Sequence, residues 1–132
     1  MAGKIVNVLI IDDNEMTRAL LRTILSAEGY TVVAEASNSK NGLEQAMKVK
    51  PDVICLDILM PDGNGIDLLK QVMQDLPRTI VLMVTGKRDV ETVRECLSSG
   101  AKGFILKPFN ASIVLKTVKE AILRAGLQPP QV

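Results

Sequence analysis

The sequence predicts an α/β protein with a doubly wound, five-stranded parallel sheet in the order 2-1-3-4-5, a three-layer sandwich with helices on both faces. Three observations lead there. Short apolar runs alternate five times with segments of helical period. The first run is almost free of polar residues, as in a strand covered on both faces. The 132 residues are enough for one domain, whereas a closed eightfold barrel needs about 200 or more.

The first strand is Ile5-Val6-Asn7-Val8-Leu9-Ile10-Ile11, and it stops abruptly at Asp12-Asp13. From Glu15 the period turns helical, with Met16, Leu20 and Ile24 repeating, Leu21 and Leu25 beside them, and Gly29 as the stop. Thr31 to Ala36 reads as the second strand, Ser39 to Val49 as helix, Asp52 to Leu56 as the third strand and Gly65 to Leu76 as helix, with Pro51 and Pro77 as punctuation. Ile80 to Val84 is the fourth strand. Asp89 caps a helix carrying Val90, Val93 and Leu97, which Gly100 ends. Gly103 to Leu106 is the last strand, and Asn110 caps a final helix whose buried stripe is Ile113, Val114, Val118 and Ile122. Residues 1–126 therefore form the domain, and Leu127 to Val132 is a frayed tail or the start of a linker. The second strand is the most polar and carries Glu35, which places it at an edge.

Composition removes several function classes. The AVILMFWYC set makes up 47% of the residues and 23% are charged, so the chain has a core to pack and is not disordered. Sixteen basic against fifteen acidic residues, with 2% aromatic content, argue against direct nucleic-acid binding. With no histidine, the chain cannot build a Ser-His-Asp or Cys-His group or become phosphorylated on histidine itself. Cys55 and Cys96 lack CxxC spacing and read as reduced, buried thiols. Met1 to Lys4 shows no apolar leader and no apolar run is long enough to span a bilayer, so the expected location is cytoplasmic, off the membrane. The methionines Met16, Met47, Met60, Met73 and Met83 are scattered over different elements and read as core filling.

In an open sheet of this kind the ligand sits beyond the carboxyl ends of the strands. Asp12 and Asp13 follow the first strand, Asp57 the third, Thr85 the fourth, and Lys107-Pro108 the fifth. Each carboxylate alone is explained as a helix cap or a loop residue. Three on one rim repel one another, and a hard divalent cation, best Mg²⁺, relieves that repulsion. Lys107 adds a positive charge and Thr85 a hydroxyl, both suited to a phosphoryl group.

These residues resemble the receiver domains of bacterial two-component response regulators, flavodoxin-like in fold, over Lys4 to Gly126. The resemblance rests on Asp12-Asp13, on Asp57-Ile58-Leu59-Met60-Pro61 with Gly63 or Gly65 beyond, on Thr85-Gly86 and on Lys107-Pro108-Phe109. It implies that Asp57 accepts a phosphoryl group, that Asp12, Asp13, Asp57 and the carbonyl of Leu59 hold Mg²⁺, and that Lys107 contacts the phosphoryl oxygens. It further implies that Thr85 turns inward on phosphorylation with Phe104 as the aromatic switch, and that Leu59 and Lys87 border the path of the hydrolytic water. The chain would then be a phosphoacceptor switch rather than an enzyme, although it takes part in its own phosphorylation and dephosphorylation. A sensor histidine kinase or a histidine phosphotransfer domain would be the donor, and a downstream protein target or an effector domain the recipient of the signal.

Two rivals share parts of this pattern. A phosphohydrolase of the haloacid dehalogenase type also forms an aspartyl phosphate with Mg²⁺, but it needs an acidic residue where Leu59 stands and a cap domain. A flavin or nucleotide binder needs a Gly-rich loop after the first strand, where this chain has Asp12-Asp13-Asn14-Glu15. Gly63 and Gly65 read as turn residues of positive φ. Lys102 follows Gly100-Ala101 where receivers that pair in front of winged-helix domains carry an acid, which favours a stand-alone, chemotaxis-like regulator.

Overall fold

The computed structural model describes residues 5–130. Met1 to Lys4, where an apolar leader is not expected, and Gln131 and Val132 of the tail lie outside the described residues. In chain order the elements are β1 (Asn7–Ile11), α1 (Glu15–Ala27), β2 (Thr31–Ala36), α2 (Ser39–Val49), β3 (Val53–Leu56), β4 (Leu59–Met60), β5 (Gly63–Asn64), α3 (Gly65–Asp75), β6 (Ile80–Thr85), α4 (Val90–Ser98), β7 (Gly103–Leu106) and α5 (Ala111–Arg124). The main sheet is parallel throughout and runs β2-β1-β3-β6-β7. Counting only its own strands, this is the expected order 2-1-3-4-5, with β2 at the edge. The order reverses between β1 and β3, and their carboxyl ends open a crevice there.

Alternation along the strands builds two cores. Val8 and Ile10 of β1, with Cys55, Leu82, Val84 and Ile105, face α1 and α5. Leu9 and Ile11, with Ile54, Leu56, Val81 and Met83, face the layer of α2, α3 and α4. Every one of these strand residues is buried, so β1, β3 and β6 are covered on both sides and their apolar runs are unbroken. Each helix begins on an Asn or Asp cap, namely Asn14, Asn38, Asn64, Asp89 and Asn110, whose side chain accepts a first-turn N–H. Such a cap stabilises a helix by about 1 kcal/mol. Gly29, Gly100 and Gly126 take positive φ beyond the ends of α1, α4 and α5. No helix among the described residues is long and apolar enough to cross a membrane.

The structure corrects several details. Met16 (81% exposed) and Leu20 lie outside the core, and the buried side of α1 is Leu21, Ile24 and Leu25. Met16 and Leu21 are five residues apart, about 140° around a helix, so the two cannot share a face. Met16 is therefore not core filling, although Met83 is fully buried. On α4 the stripe of Val90 and Leu97 points outward and Cys96 is the buried contact, while on α5 Ile113 is exposed and Val114, Val118, Ala121 and Ile122 pack inward. Both cysteines are free and buried, and burial pushes the Cys55 thiol up to about 12. Leu127 opens the tail but packs against the first core, with its N–H bonded to the Ile122 carbonyl at 3.1 Å.

A further element carries no sequence period of its own. Residues Leu59–Met60 and Gly63–Asn64 pair as a two-residue antiparallel hairpin directly after Asp57. Neither Gly63 nor Gly65 has positive φ, so their expected role as left-handed turn residues is corrected. A Cβ at Gly65 would lie 2.0 Å from the Asp57 carbonyl oxygen. That glycine lets α3 begin against the backbone of the loop, where its N–H donates to the Ile58 carbonyl at 2.7 Å. The tip of the hairpin is tied down separately, since the Asp62 carboxylate accepts from the N–H groups of Ser39 and Lys40 at 2.7 and 3.0 Å at the start of α2. Those two bonds hold its carboxyl below the usual carboxylate range.

Gly65→Ala is expected to lower unfolding stability by about 1–3 kcal/mol, because the obstructing atoms are backbone and cannot rotate away. Gly86→Ala, where a Cβ would meet nothing within 4 Å, should stay within about 0.5 kcal/mol of the parent. Urea denaturation of both variants checks the pair, and equal stabilities would overturn the steric account.

Candidate functional site

The strand ends converge as the sequence predicts. Asp12 leaves β1, Asp57 leaves β3, Thr85 closes β6 and Lys107 follows β7, all at the carboxyl rim of the sheet. Asp12, Asp57 and Thr85 are buried, at 1%, 6% and 1% exposure, whereas Asp13 is exposed. Polar side chains persist at such depth only when partnered.

The backbone of each is pinned by the neighbouring strand. The Asp12 N–H donates to the Ala36 carbonyl at 3.0 Å, that of Asp57 to Ile11 at 3.0 Å, and that of Lys107 to Thr85 at 2.9 Å. These bonds extend the parallel ladder beyond its last strand residues, so the site residues inherit the rigidity of the sheet. Asp12 Oδ1 accepts from the Asn14 N–H at 2.8 Å, and Asp57 Oδ1 from the N–H of Ile58 at 2.7 Å. The remaining oxygens meet one cation. Lys107 Nζ donates to Asp12 Oδ2 at 2.8 Å and to Asp57 Oδ2 at 3.1 Å.

Burial raises the Asp12 pKa, opposed by the hydrogen bond from Lys107 and by its charge. Burial also disfavours the charged Lys107, but its hydrogen bond with Asp12 and the charges of Asp12 and Asp57 outweigh that, so the ammonium stays protonated above its ordinary range. Two carboxylates thus share one cation, and a third stands beside them. Asp12, Asp13 and Asp57 each offer a carboxylate oxygen, all within 4.8 Å of one another. An all-oxygen donor set that exceeds its single lysine in charge and opens to water through exposed Asp13 fits a hard divalent cation.

The other expected residues lie around this centre. Thr85 Oγ1 accepts from the Lys87 N–H at 3.3 Å. The Leu59 side chain is 62% exposed on the hairpin, and Lys87 is exposed on the opposite loop. Phe104 pairs with Met83 in the sheet and is half-buried against the second core. Two arginines that the sequence does not single out as site residues also reach the rim. Arg18 Nη1 donates to the Asp12 carbonyl at 2.7 Å, and Arg88 Nη2 to the Lys107 carbonyl at 3.4 Å. The first bond spans six residues across the β1–α1 turn and the second nineteen, from the loop before α4 to the loop after β7.

Comparison with known proteins gives one consistent answer. The chain is 36% identical over 113 residues to the chemotaxis protein CheY of Thermotoga maritima, covering 86% of this chain and 94% of that one. Its fold superposes with a TM-score of 0.87 and 31% identity on a chain of the CheX-CheY-BeF3-Mg complex from Borrelia burgdorferi, covering 89% of each. It also matches the response regulator domain of Thermotoga maritima CheB, with a TM-score of 0.83, 30% identity, and coverage of 96% of this chain and all 100% of that one. The sequence profile described as response regulator receiver domain matches residues 8–119, a span that takes in the acidic cluster, Thr85 and Lys107. The chain belongs to the response regulator receiver domains.

Proposed function

We propose that this protein is a phosphoacceptor switch in which Asp57 takes a phosphoryl group from the phosphohistidine of a sensor histidine kinase or a histidine phosphotransfer domain. The observation that carries this reading is the shared ammonium of Lys107, held between the carboxylates of Asp12 and Asp57 with Asp13 alongside. Asp12, Asp13, Asp57 and the Leu59 carbonyl are the residues that would hold Mg²⁺, with Asp13 a direct ligand and Asp12 acting partly through water. The ion supplies neutralisation of charge on the transferring group.

In the transfer, an Asp57 carboxylate oxygen attacks phosphorus in line. A P–O bond forms, the P–N bond to the donor imidazole breaks, and the imidazole leaves with the bonding pair. Lys107 leaves its carboxylate partners far enough to donate to the phosphoryl oxygens. Water later cleaves the acyl phosphate and restores the carboxylate, so the chain assists its own dephosphorylation without turning over a separate substrate. Thr85 moves toward the new phosphoryl group and Phe104 follows it inward, which alters the face formed by α4, β7 and α5 for a downstream protein or an effector domain. We place this activity in the cytoplasm, away from membranes and without direct contact to nucleic acid.

Asp57→Asn should abolish labelling by acetyl phosphate or by a phosphorylated kinase while leaving the circular dichroism spectrum unchanged. Undiminished labelling of that variant overturns the assignment.

Addition of beryllofluoride with Mg²⁺ is expected to shift amide resonances at Val90, Arg94, Lys102 and Phe104. Changes confined to the loops around Asp57 would mean that Phe104 is fixed core and that this face is not the output.

The lifetime of the phosphorylated form is set by Leu59 and Lys87. An apolar Leu59 cannot orient an attacking water by hydrogen bonding, and the Lys87 ammonium is drawn toward a dianion. Leu59→Asn combined with Lys87→Glu should shorten the lifetime measured after removal of the donor, and an equal or longer lifetime would show that neither side chain shields the phosphorus.

A further inference from the structure

Asp12 is 1% exposed, yet all of its polar groups are taken. Its N–H goes to Ala36, Oδ1 to Asn14 and Oδ2 to Lys107. The remaining group, the carbonyl oxygen, accepts from Arg18 Nη1 at 2.7 Å. Arg18 is itself held from behind. Its Nε donates to Glu35 Oε1 at 3.3 Å, and the other Glu35 oxygen pairs with Arg22 Nη1. Glu35 is the one acidic residue of edge strand β2, a carboxylate that the phosphoryl chemistry leaves without a task.

We propose that Arg18 is a positioning residue for the acidic pocket: its guanidinium, oriented by Glu35, fixes the backbone at Asp12 and thereby sets the placement of the Asp12 and Asp13 carboxylates toward a divalent cation. This rests on reading the pocket as a Mg²⁺ site. The geometry requires arginine. Its planar fork reaches a carboxylate through Nε and a carbonyl through Nη1 at once, whereas a lysine offers a single centre. Loss of the guanidinium leaves the Asp12 carbonyl without its protein partner, and the β1–α1 turn loses one of the bonds that fix it. Asp13 is the next residue along that turn. Exposed and without a hydrogen bond of its own among the described residues, it depends on the backbone for its position.

A plain surface clip between α1 and β2 would use the same ion pairs, and Arg22 separates the two cases because it binds Glu35 without touching Asp12. Titration with Mg²⁺ alone, followed by amide resonances of the phosphate-free protein, should show the dissociation constant of Arg18→Ala raised on the order of tenfold, as for outer partners of metal ligands. Arg18→Lys should recover part of that loss, and Arg22→Ala should stay within about twofold of the parent. Equal weakening by Arg18→Ala and Arg22→Ala, or none by Arg18→Ala, overturns the proposal. In the metal-free protein, the Asn14 amide should exchange faster in Arg18→Ala than in Arg22→Ala. Should Arg18→Ala fail to fold, Arg18→Lys takes its place, with a weaker dissociation constant than Arg22→Ala supporting the proposal and an equal one overturning it. A parent protein that takes up no Mg²⁺, indistinguishable from Asp13→Ala, would instead defeat the reading of the pocket, and the Asn14 exchange comparison then decides the role of Arg18 by itself.

Discussion

An ammonium group shared by two buried carboxylates governs the upper rim of this sheet. Lys107 reaches across from the end of the last strand to residues 95 and 50 positions earlier in the chain. The contact therefore exists only when β1, β3 and β7 lie in their final order. Without that cation Asp12 and Asp57 would face each other in surroundings that disfavour two like charges, and breaking a buried pair of this kind is strongly destabilising. Rigid neighbours permit the arrangement. Both faces of β1, β3 and β6 are packed, and each site residue continues a backbone ladder, so the charges cannot relax apart by bending the strands. The arginines on either side repeat the logic one layer further out, Arg18 at the Asp12 carbonyl and Arg88 at that of Lys107.

Much of this was legible in the sequence because a strand buried on both faces makes an uninterrupted apolar run. The first polar residue after such a run must lie on the rim, and Asp12, Asp57 and Thr85 are found that way, while Lys107 follows the short edge strand β7. Helix faces are harder to read. Met16, Val90, Leu97 and Ile113 repeat at helical spacing as core residues do, yet they face outward. An apolar stripe records that a surface is apolar, not what lies against it. The hairpin at Leu59–Met60 and Gly63–Asn64 is too short for any periodicity, and Gly65 is required by an approach of backbone to backbone that no local pattern encodes. Arg18 and Glu35 look like ordinary solvated charges until β2 is placed beside α1.

The face left open by those outward stripes is consistent across three elements. Val90 and Leu97 of α4, Leu106 of β7 and Ile113 of α5 are all exposed apolar residues, with Arg94 and Lys102 nearby in the chain. Their burial was not needed to close the core, which Cys96, Val114, Val118 and Ile122 complete without them. The fold thus divides labour within α4 and α5, one side stabilising the sheet and the other left as exposed apolar surface.

The loop that follows Asp57 is fastened at its base, by the Gly65 N–H on the Ile58 carbonyl, and at its tip, by Asp62 on the first turn of α2. A segment held in this way has no slack with which to fold over the pocket as a lid. In the phosphoryl transfer proposed above, solvent would be excluded by the donor protein seated on the rim rather than by this loop, and only while that protein stays. On that reading an acyl phosphate on Asp57 would then meet water past only the side chains of Leu59 and Lys87, so the same fastening that denies the pocket a lid would make the signal a temporary one, timed from the moment of separation.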